Sequence, residues 1–106
     1  MFQALEVSLD LVRSLRRPLA RIRVRDRSLH DQMRSAASSI PLNLAEGRRR
    51  LGRDRAHSWR IAAGSAEELR AALRVALAWG DVEATEVSEA LDLLDRVLAM
   101  LWRMTR

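Results

Sequence analysis

The sequence of 106 residues has no cysteine and only two histidines, and its aromatic residues are three tryptophans and one phenylalanine. Without cysteine the chain has no disulfide framework, no thiolate zinc site and no cysteine nucleophile. Two histidines leave little for a histidine-rich metal site. A chain of this length predicts one domain, residues 1–106, and scarce aromatics beside abundant leucine and alanine favour an all-α fold.

Membrane-spanning and export segments are also missing. Nowhere do about 18 apolar residues run together, so no membrane span is predicted. The N-terminal segment carries Glu6 and Asp10 where a signal peptide has a basic start followed by an apolar run. We therefore expect a soluble cytoplasmic protein that makes no contact with a membrane.

No arrangement of side chains indicates catalysis. His30 and His57 have no second histidine four residues away and no carboxylate pattern typical of a metal site. No glycine-rich phosphate loop is present, and the serines lack a histidine and acid set that would form a triad. We expect a protein that is not an enzyme and that holds no cofactor or metal.

Lysine is the most informative absence, because all nineteen basic residues are arginine. Two explanations for the lack of lysine are open. One is a GC-rich genome that prefers arginine codons, and the other is a phosphate-binding role for the planar guanidinium group. The net charge is +5, and it is unevenly distributed. Residues 1–53 have twelve arginines against five acids, a net +7, whereas residues 54–106 have seven against nine, a net −2. The asymmetry favours an anionic partner for the first half.

Apolar residues recur every three or four positions in four segments. Short connections between four long helices predict an antiparallel up-down-up-down four-helix bundle. The first helix either bends at Pro18 or stops near Arg16 before a further short turn of helix, and we favour a continuous bent helix because the apolar stripe keeps its phase. We expect the second helix to be kinked near Pro41, with Ser38 and Asn43 close enough to satisfy the loosened backbone groups.

Local capping signals predict where these helices begin and end. A capping box at residues 28–31 starts the second helix, and Gly47 lies just past its end. Asp54 is the expected N-cap of the third helix, and Gly80 ends it. The fourth helix starts at or near Glu83.

Two runs of small residues, 35–39 and 62–66, predict a close approach of the second and third helices. Gly64 costs the third helix roughly 1 kcal/mol relative to alanine, and a tolerated cost suggests that two backbones come close there.

The first and fourth helices have more apolar surface than one core stripe needs. We interpret the excess as a self-association surface; the alternative is simply a broad core face. The candidate oligomer-interface residues are Val7, Leu11, Leu93, Val97 and Met100.

Arginines gather at the first and second connections, which lie about 27 Å apart at opposite ends of the second helix. A ring or stack of subunits would repeat each cluster into a basic rim. Alternatively, these arginines solubilise the bundle ends and cap helix C-termini. The candidate nucleic-acid-binding residues are Arg16, Arg17, Arg21, Arg23, Arg25, Arg27, Arg48, Arg49, Arg50, Arg53 and Arg55.

The run Ser-Ser-Ile-Pro-Leu-Asn-Leu-Ala-Glu-Gly at residues 38–47, with residues 31–37 before it and 63–69 after it, resembles a family of bacterial four-helix-bundle proteins. Its members are encoded in intervening sequences of large-subunit ribosomal RNA genes, and the accessory variability protein of diversity-generating retroelements is similar to them. The resemblance covers residues 4–104. It implies a homopentameric ring without known enzymatic activity and, for the retroelement relative, binding of nucleic acid and a reverse transcriptase.

Two functions remain open at this point. The first is an oligomeric scaffold whose arginines bind RNA or DNA without strong sequence preference. The second is a protein-interaction scaffold, with a reverse transcriptase or another protein as partner, in which the charge plays no part.

Overall fold

The computed structural model describes all 106 residues and contains helices but no strands. The helices are α1 (Gln3–Ser14), α2 (Arg16–Arg25), α3 (Arg27–Arg49), α4 (Gly52–Trp79) and α5 (Ala84–Met104). The all-α prediction is confirmed, whereas the predicted number of four helices is wrong. None of the five carries an apolar stretch that could cross a bilayer.

The additional helix arises from a break at Leu15 between α1 and α2. The amide of Leu15 donates to the carbonyl of Val12 at 3.1 Å, a tighter turn than the α-helix makes. Pro18 has no N–H, so the carbonyl of Ser14 lacks the donor that would continue the helix. The expected continuous helix is therefore wrong. Its apolar stripe nevertheless continues across the break, since Leu11, Leu15 and Leu19 are all buried.

The helices pack around one core of 25 buried apolar residues, none of them aromatic. A two-residue connection joins α3 to α4, and these helices run antiparallel because Ser39 contacts Ser65 while Leu44 contacts Trp59. Helix α1 packs against α3 and α5, α2 packs against α3, and α4 packs against α5. The molecule is elongated, with extents of 42 × 22 × 20 Å.

Two of the predicted helix boundaries are confirmed. Gly80 ends α4 in the left-handed conformation, with a φ of 77° that residues with a Cβ rarely adopt. Glu83 is the N-cap of α5 and forms a capping box with Glu86, whose carboxylate accepts the Glu83 amide at 2.8 Å.

Two other boundaries differ from the prediction. Helix α3 starts two residues earlier, because its N-cap is Asp26 instead of Ser28 and the Asp26 carboxylate accepts the backbone N–H of Leu29 at 3.0 Å. Helix α4 starts at Gly52, so Asp54 lies in its first turn instead of capping it. The carboxylate at Asp54 still favours that helix end, where the helix dipole is positive.

Gly47 lies within α3, not beyond its end, and it is buried. A Cβ at this position would come closer than 3.0 Å to two indole atoms of Trp59. The same indole donates its N–H to the carbonyl of Leu44 at 3.2 Å. Glycine is therefore required here by close packing between α3 and α4, and the expected role as a helix terminator is wrong.

Helix α3 continues through Pro41, and the kink expected there stays a prediction. The side-chain amide of Asn43 donates from Nδ2 to the backbone carbonyl of Ser39 at 2.9 Å and to the Ser39 hydroxyl at 3.0 Å, one turn earlier in the helix. Ser65 donates to the Ser39 hydroxyl at 2.7 Å, which confirms that the two small-residue runs meet. Gly64 is not the reason for this approach, because a Cβ there would meet nothing within 4 Å.

The surface expected to mediate self-association is largely part of the core. Val7, Leu11 and Val97 are almost completely buried within the single chain, Leu93 is 8% exposed, and Met100 is half-buried against the core. Since α1 contacts both α3 and α5, it needs a broad apolar face. Val7, Leu11, Leu93 and Val97 therefore belong to a broad core face in the single chain, whereas Met100 keeps exposed surface and stays a predicted interface residue.

Candidate nucleic-acid interface

The arginines of the first cluster project from α2 and from the start of α3. Helix α2 buries Pro18, Leu19 and Ile22 against the rest of the chain, and every arginine on it is exposed. Arg21 forms an ion pair with Glu86 at 2.5 Å. Five others have no carboxylate within 4.0 Å, namely Arg16, Arg17, Arg23, Arg25 and Arg27. This face of α2 therefore presents positive charge that the chain itself does not neutralise.

Part of this charge surrounds a groove between α2 and α3 with a volume of about 360 Å³. Arg16 and Arg23 line it from α2, two helical turns apart, and Arg34 lines it from α3. All three are exposed, and none forms an ion pair. No aspartate or glutamate is among the lining residues. The lining of the groove is consequently cationic, and the carboxylate of Asp31 interacts with two of its residues, His30 and Arg23.

Helix α3 adds lining residues that are not among the candidate nucleic-acid-binding residues of the sequence. His30, Arg34 and Ser38 all line the groove, and they are spaced four residues apart. This spacing places them on one helix face, and it is the sequence signal that would have identified Arg34. Arg34 lies in the middle of α3, away from the arginine-rich connections, and is therefore not among the predicted nucleic-acid-binding residues.

His30 lies beside the carboxylate of Asp31, which is exposed and is not among the residues that line the groove. Its Nδ1 and Oδ1 of Asp31 are 2.8 Å apart, and the His30 side chain is only 13% exposed. This hydrogen bond lowers the pKa of Asp31, with smaller contributions from Arg27 and Arg23. The Asp31 carboxyl group therefore stays ionised at neutral pH and orients the imidazole ring. His30 is thus a groove residue.

The second arginine cluster mainly holds the end of α3. Arg55 donates from Nε to the carbonyl of Gly47 and from Nη2 to that of Arg48, each at 3.1 Å. Its guanidinium also lies 5.4 Å from the centre of the Trp59 ring. These contacts satisfy carbonyls that a helix C-terminus leaves without partners. The alternative interpretation, that arginines cap a helix C-terminus, is correct for Arg55.

The remaining arginines of that cluster are mostly engaged as well. Arg50 forms an ion pair with Glu46 at 2.7 Å, and Arg49 lies 3.7 Å from the same carboxylate. The hydrogen bond from Arg50 lowers the pKa of Glu46. Arg48 lies 5.0 Å above the centre of the Phe2 ring. Only Arg53 makes none of these contacts, so the second cluster offers less available charge than the first.

The two clusters are far apart. Arg27 and Arg48 stand at opposite ends of α3, and 21 residues of helix separate them by about 32 Å. A single chain therefore presents two distinct cationic regions, as the sequence indicated. Nothing in the fold brings them to one surface.

A second groove, between α4 and α5, has the opposite character. Its volume is about 430 Å³, and its lining includes Ala63, Gly64, Leu98 and Trp102. Trp102 is 68% exposed. An exposed tryptophan beside an apolar groove is a feature of protein interaction sites.

No three histidine, aspartate or glutamate side chains gather where they could ligate a metal. The fold and its cationic groove define a small all-α protein with an exposed arginine face. The sequence model for the 23S rRNA-intervening sequence proteins matches residues 3–103, and the chain belongs to this family. No curated protein and no solved structure matches it.

Proposed function

We propose that this protein is a non-enzymatic cytoplasmic scaffold that binds RNA or DNA through the phosphate backbone. The observation that carries the proposal is the set of exposed arginines on α2 without carboxylate partners. An arginine already held by a carboxylate has to break that pair before it binds a phosphate, whereas these do not. The membership in a family of rRNA-intervening sequence proteins is consistent with this proposal.

The dimensions of α2 suit a phosphate backbone. Its ten residues extend about 15 Å, which corresponds to about four phosphates along one strand of a B-form duplex. Phosphate contacts carry no sequence information, so the affinity should depend little on sequence. It should decrease steeply with salt, because each neutralised phosphate releases counterions.

The test compares two triple variants that have the same net charge. The α2 variant carries Arg16→Gln, Arg17→Gln and Arg23→Gln, and the control variant carries Arg60→Gln, Arg74→Gln and Arg96→Gln. All six arginines are exposed and lack ion pairs. Fluorescence anisotropy with labelled RNA and DNA, between 50 and 200 mM salt, then separates the effect of the α2 arginines on affinity from the effect of the net charge of the chain.

We expect the α2 variant to bind at least about tenfold more weakly than the wild type, and the slope of log K against log salt to decrease by about 2. The control variant should stay within about threefold of the wild type. No binding by the wild type at low salt contradicts the proposal. Equal losses in both variants also contradict it, since only total charge would then matter.

A second candidate function is a protein-interaction scaffold, which the apolar groove at Trp102 favours. We propose that the chain forms a homo-oligomer, a pentamer as the family resemblance implies, and that the α4–α5 groove contributes to this contact. Within each subunit, α1 and α2 would act as one broken helix, so that the chain forms a variant of the up-down-up-down four-helix bundle.

Light scattering tests the oligomer with Trp102→Gln, which removes an exposed indole without opening the core. We expect the wild type to be larger than a monomer and the variant to dissociate. A monomeric wild type contradicts the oligomer. A protein partner, such as a reverse transcriptase, that stays bound after nuclease treatment and is insensitive to the α2 variant would favour this second function over nucleic-acid binding.

A further inference from the structure

The groove between α2 and α3 has an apolar side that phosphate binding alone does not require. Val12 is half-buried, Ala20 is exposed, and both line the groove together with Leu19. The arginines stand beside this apolar surface, so charge and apolar area occur in one cavity. A ligand that fills it must be an anion with an attached apolar group.

We propose that this groove holds one unpaired nucleotide of a single strand. Arg16, Arg23 and Arg34 would contact its phosphates, and its base would lie against Val12, Leu19 and Ala20. This inference rests on the proposed function and adds the form of nucleic acid that is preferred. Sequence-independent binding along α2 would not by itself distinguish a single strand from a duplex.

The apolar surface favours a single strand because a duplex keeps its bases stacked inside. Only an unpaired base can present its face to a protein side chain. A cavity of about 360 Å³ is within the range of small-molecule sites, which begins at about 300 Å³. The His30 imidazole is the only aromatic ring in the lining, so the base would be held mainly by apolar contact with Val12, Leu19 and Ala20. Little preference among the four bases follows.

Polar groups at the edge of the groove fit the same ligand. The Ser38 hydroxyl is exposed and makes no hydrogen bond within the chain. His30 is fixed through Asp31 and has a second ring nitrogen without a partner in the chain. A ribose 2′-hydroxyl or a base edge offers both donors and acceptors to these groups, whereas an anion such as sulfate offers acceptors only.

The walls of the groove are firmly supported. Leu15 and Ala37 lie beneath it and belong to the buried core, and Leu19 is only 9% exposed. Leu15, where α1 and α2 are separated, itself lines the groove. A preformed site loses less conformational entropy on binding than a flexible one does.

The experiment uses the full chain and three fluorescent probes of twelve nucleotides each. These are a thymidine single strand, an abasic strand with the same phosphates, and a duplex that contains the thymidine strand. The abasic strand isolates the contribution of the bases, because its backbone charge is unchanged. We expect the thymidine strand to bind about tenfold more tightly than the abasic strand at 100 mM salt.

Two pairs of variants locate the effect. Arg34→Gln in the groove has Arg74→Gln on α4 as its control. Ala20→Glu in the groove has Ala78→Glu on α4 as its control. All four positions are exposed. We expect Arg34→Gln to weaken binding of the thymidine strand about tenfold more than Arg74→Gln does. Ala20→Glu should abolish the difference between the thymidine and abasic strands, and Ala78→Glu should preserve it. Circular dichroism verifies that each variant is folded.

The outcomes separate this inference from the proposed function. The nucleotide site is overturned if the wild type binds the thymidine and abasic strands with equal affinity. If the α2 variant then binds neither strand, the proposed phosphate binding still holds. A duplex that binds more tightly than the thymidine strand at every salt concentration also overturns it. If no probe binds even at low salt, the proposed function fails, and this inference fails with it.

Discussion

Replacing Gly47 with alanine tests the contact between α3 and α4 at its tightest point. Gly47 lies inside a helix, where alanine is normally the more stable residue by about 1 kcal/mol. The added methyl group would, however, come closer than 3.0 Å to the indole of Trp59 and within 3.2 Å of the Arg55 carbonyl. The indole is held in place by its hydrogen bond to Leu44, so it cannot move without losing that bond.

The expected magnitude follows from three contributions. Overpacking of this kind costs about 1–3 kcal/mol. Displacing the indole from the Leu44 carbonyl costs a further 0.5–1.5 kcal/mol or so. The gain in helix propensity offsets about 1 kcal/mol of this. Gly47→Ala should therefore lower the free energy of unfolding by about 1–3 kcal/mol.

Gly64→Ala is the matched control, because Gly64 is also within a helix but a Cβ there meets nothing within 4 Å. It should raise the free energy of unfolding by about 1 kcal/mol. Urea denaturation followed by tryptophan fluorescence and by circular dichroism measures both variants. In a Trp59→Leu background, Gly47→Ala should lose most of its cost, because the rigid indole is gone. If Gly47→Ala stabilises the chain as Gly64→Ala does, the close contact with Trp59 does not exist.

Two further predictions concern the charged residues that the fold uses. In urea denaturation, Arg55→Gln should lower the free energy of unfolding by about 1 kcal/mol, because two carbonyls at the end of α3 lose their donor. The control Arg53→Gln should change it by less than about 0.5 kcal/mol. Equal values for the two variants would show that Arg55 does not cap α3. Hydrogen bonds from the backbone N–H of Glu83 and from Arg21 lower the pKa of Glu86 below its usual 4.5. The ionised carboxylate therefore stabilises the native state at neutral pH. This stabilisation is lost as the pH falls below 4.5 and through the lowered pKa. Glu86→Gln should reduce the dependence of the melting temperature on pH between 5 and 3, and a variant as acid-sensitive as the wild type would contradict this assignment.

The fold was predictable from the sequence where its determinants are local. The apolar periodicity gave the helical class, and Gly80 and Glu83 marked real helix ends because a left-handed turn and a capping box involve neighbouring residues only. The break at Leu15 corresponds to the less favoured of the two expectations, because the apolar stripe keeps its phase while Pro18 has its effect one turn earlier, on the carbonyl of Ser14. The role of Gly47 was misinterpreted because its reason lies across the hairpin, on α4.

The candidate site was predictable only in part, for a similar reason. The sequence identified the arginines of α2 from their density, and it could not show which of them have ion-pair partners. Arg34 was missed because the groove exists only once α2 packs on α3. The apolar residues of α1 and α5 were assigned to a subunit interface because a sequence does not reveal how many neighbours a helix has. Val7 and Val97 serve the core because α1 contacts two helices.

The two arginine clusters have the same composition but different surroundings, and this difference separates their roles. At the end of α3, backbone carbonyls, Glu46 and two aromatic rings surround the guanidinium groups. Along α2 only Arg21 forms an ion pair, with Glu86, and the other arginines have no carboxylate within 4.0 Å. Neutralising the second cluster should therefore mainly reduce stability, whereas neutralising the first should mainly reduce affinity for a polyanion. Arginine density alone thus does not locate a binding surface, because the ligand competes with whatever acceptors the fold already supplies.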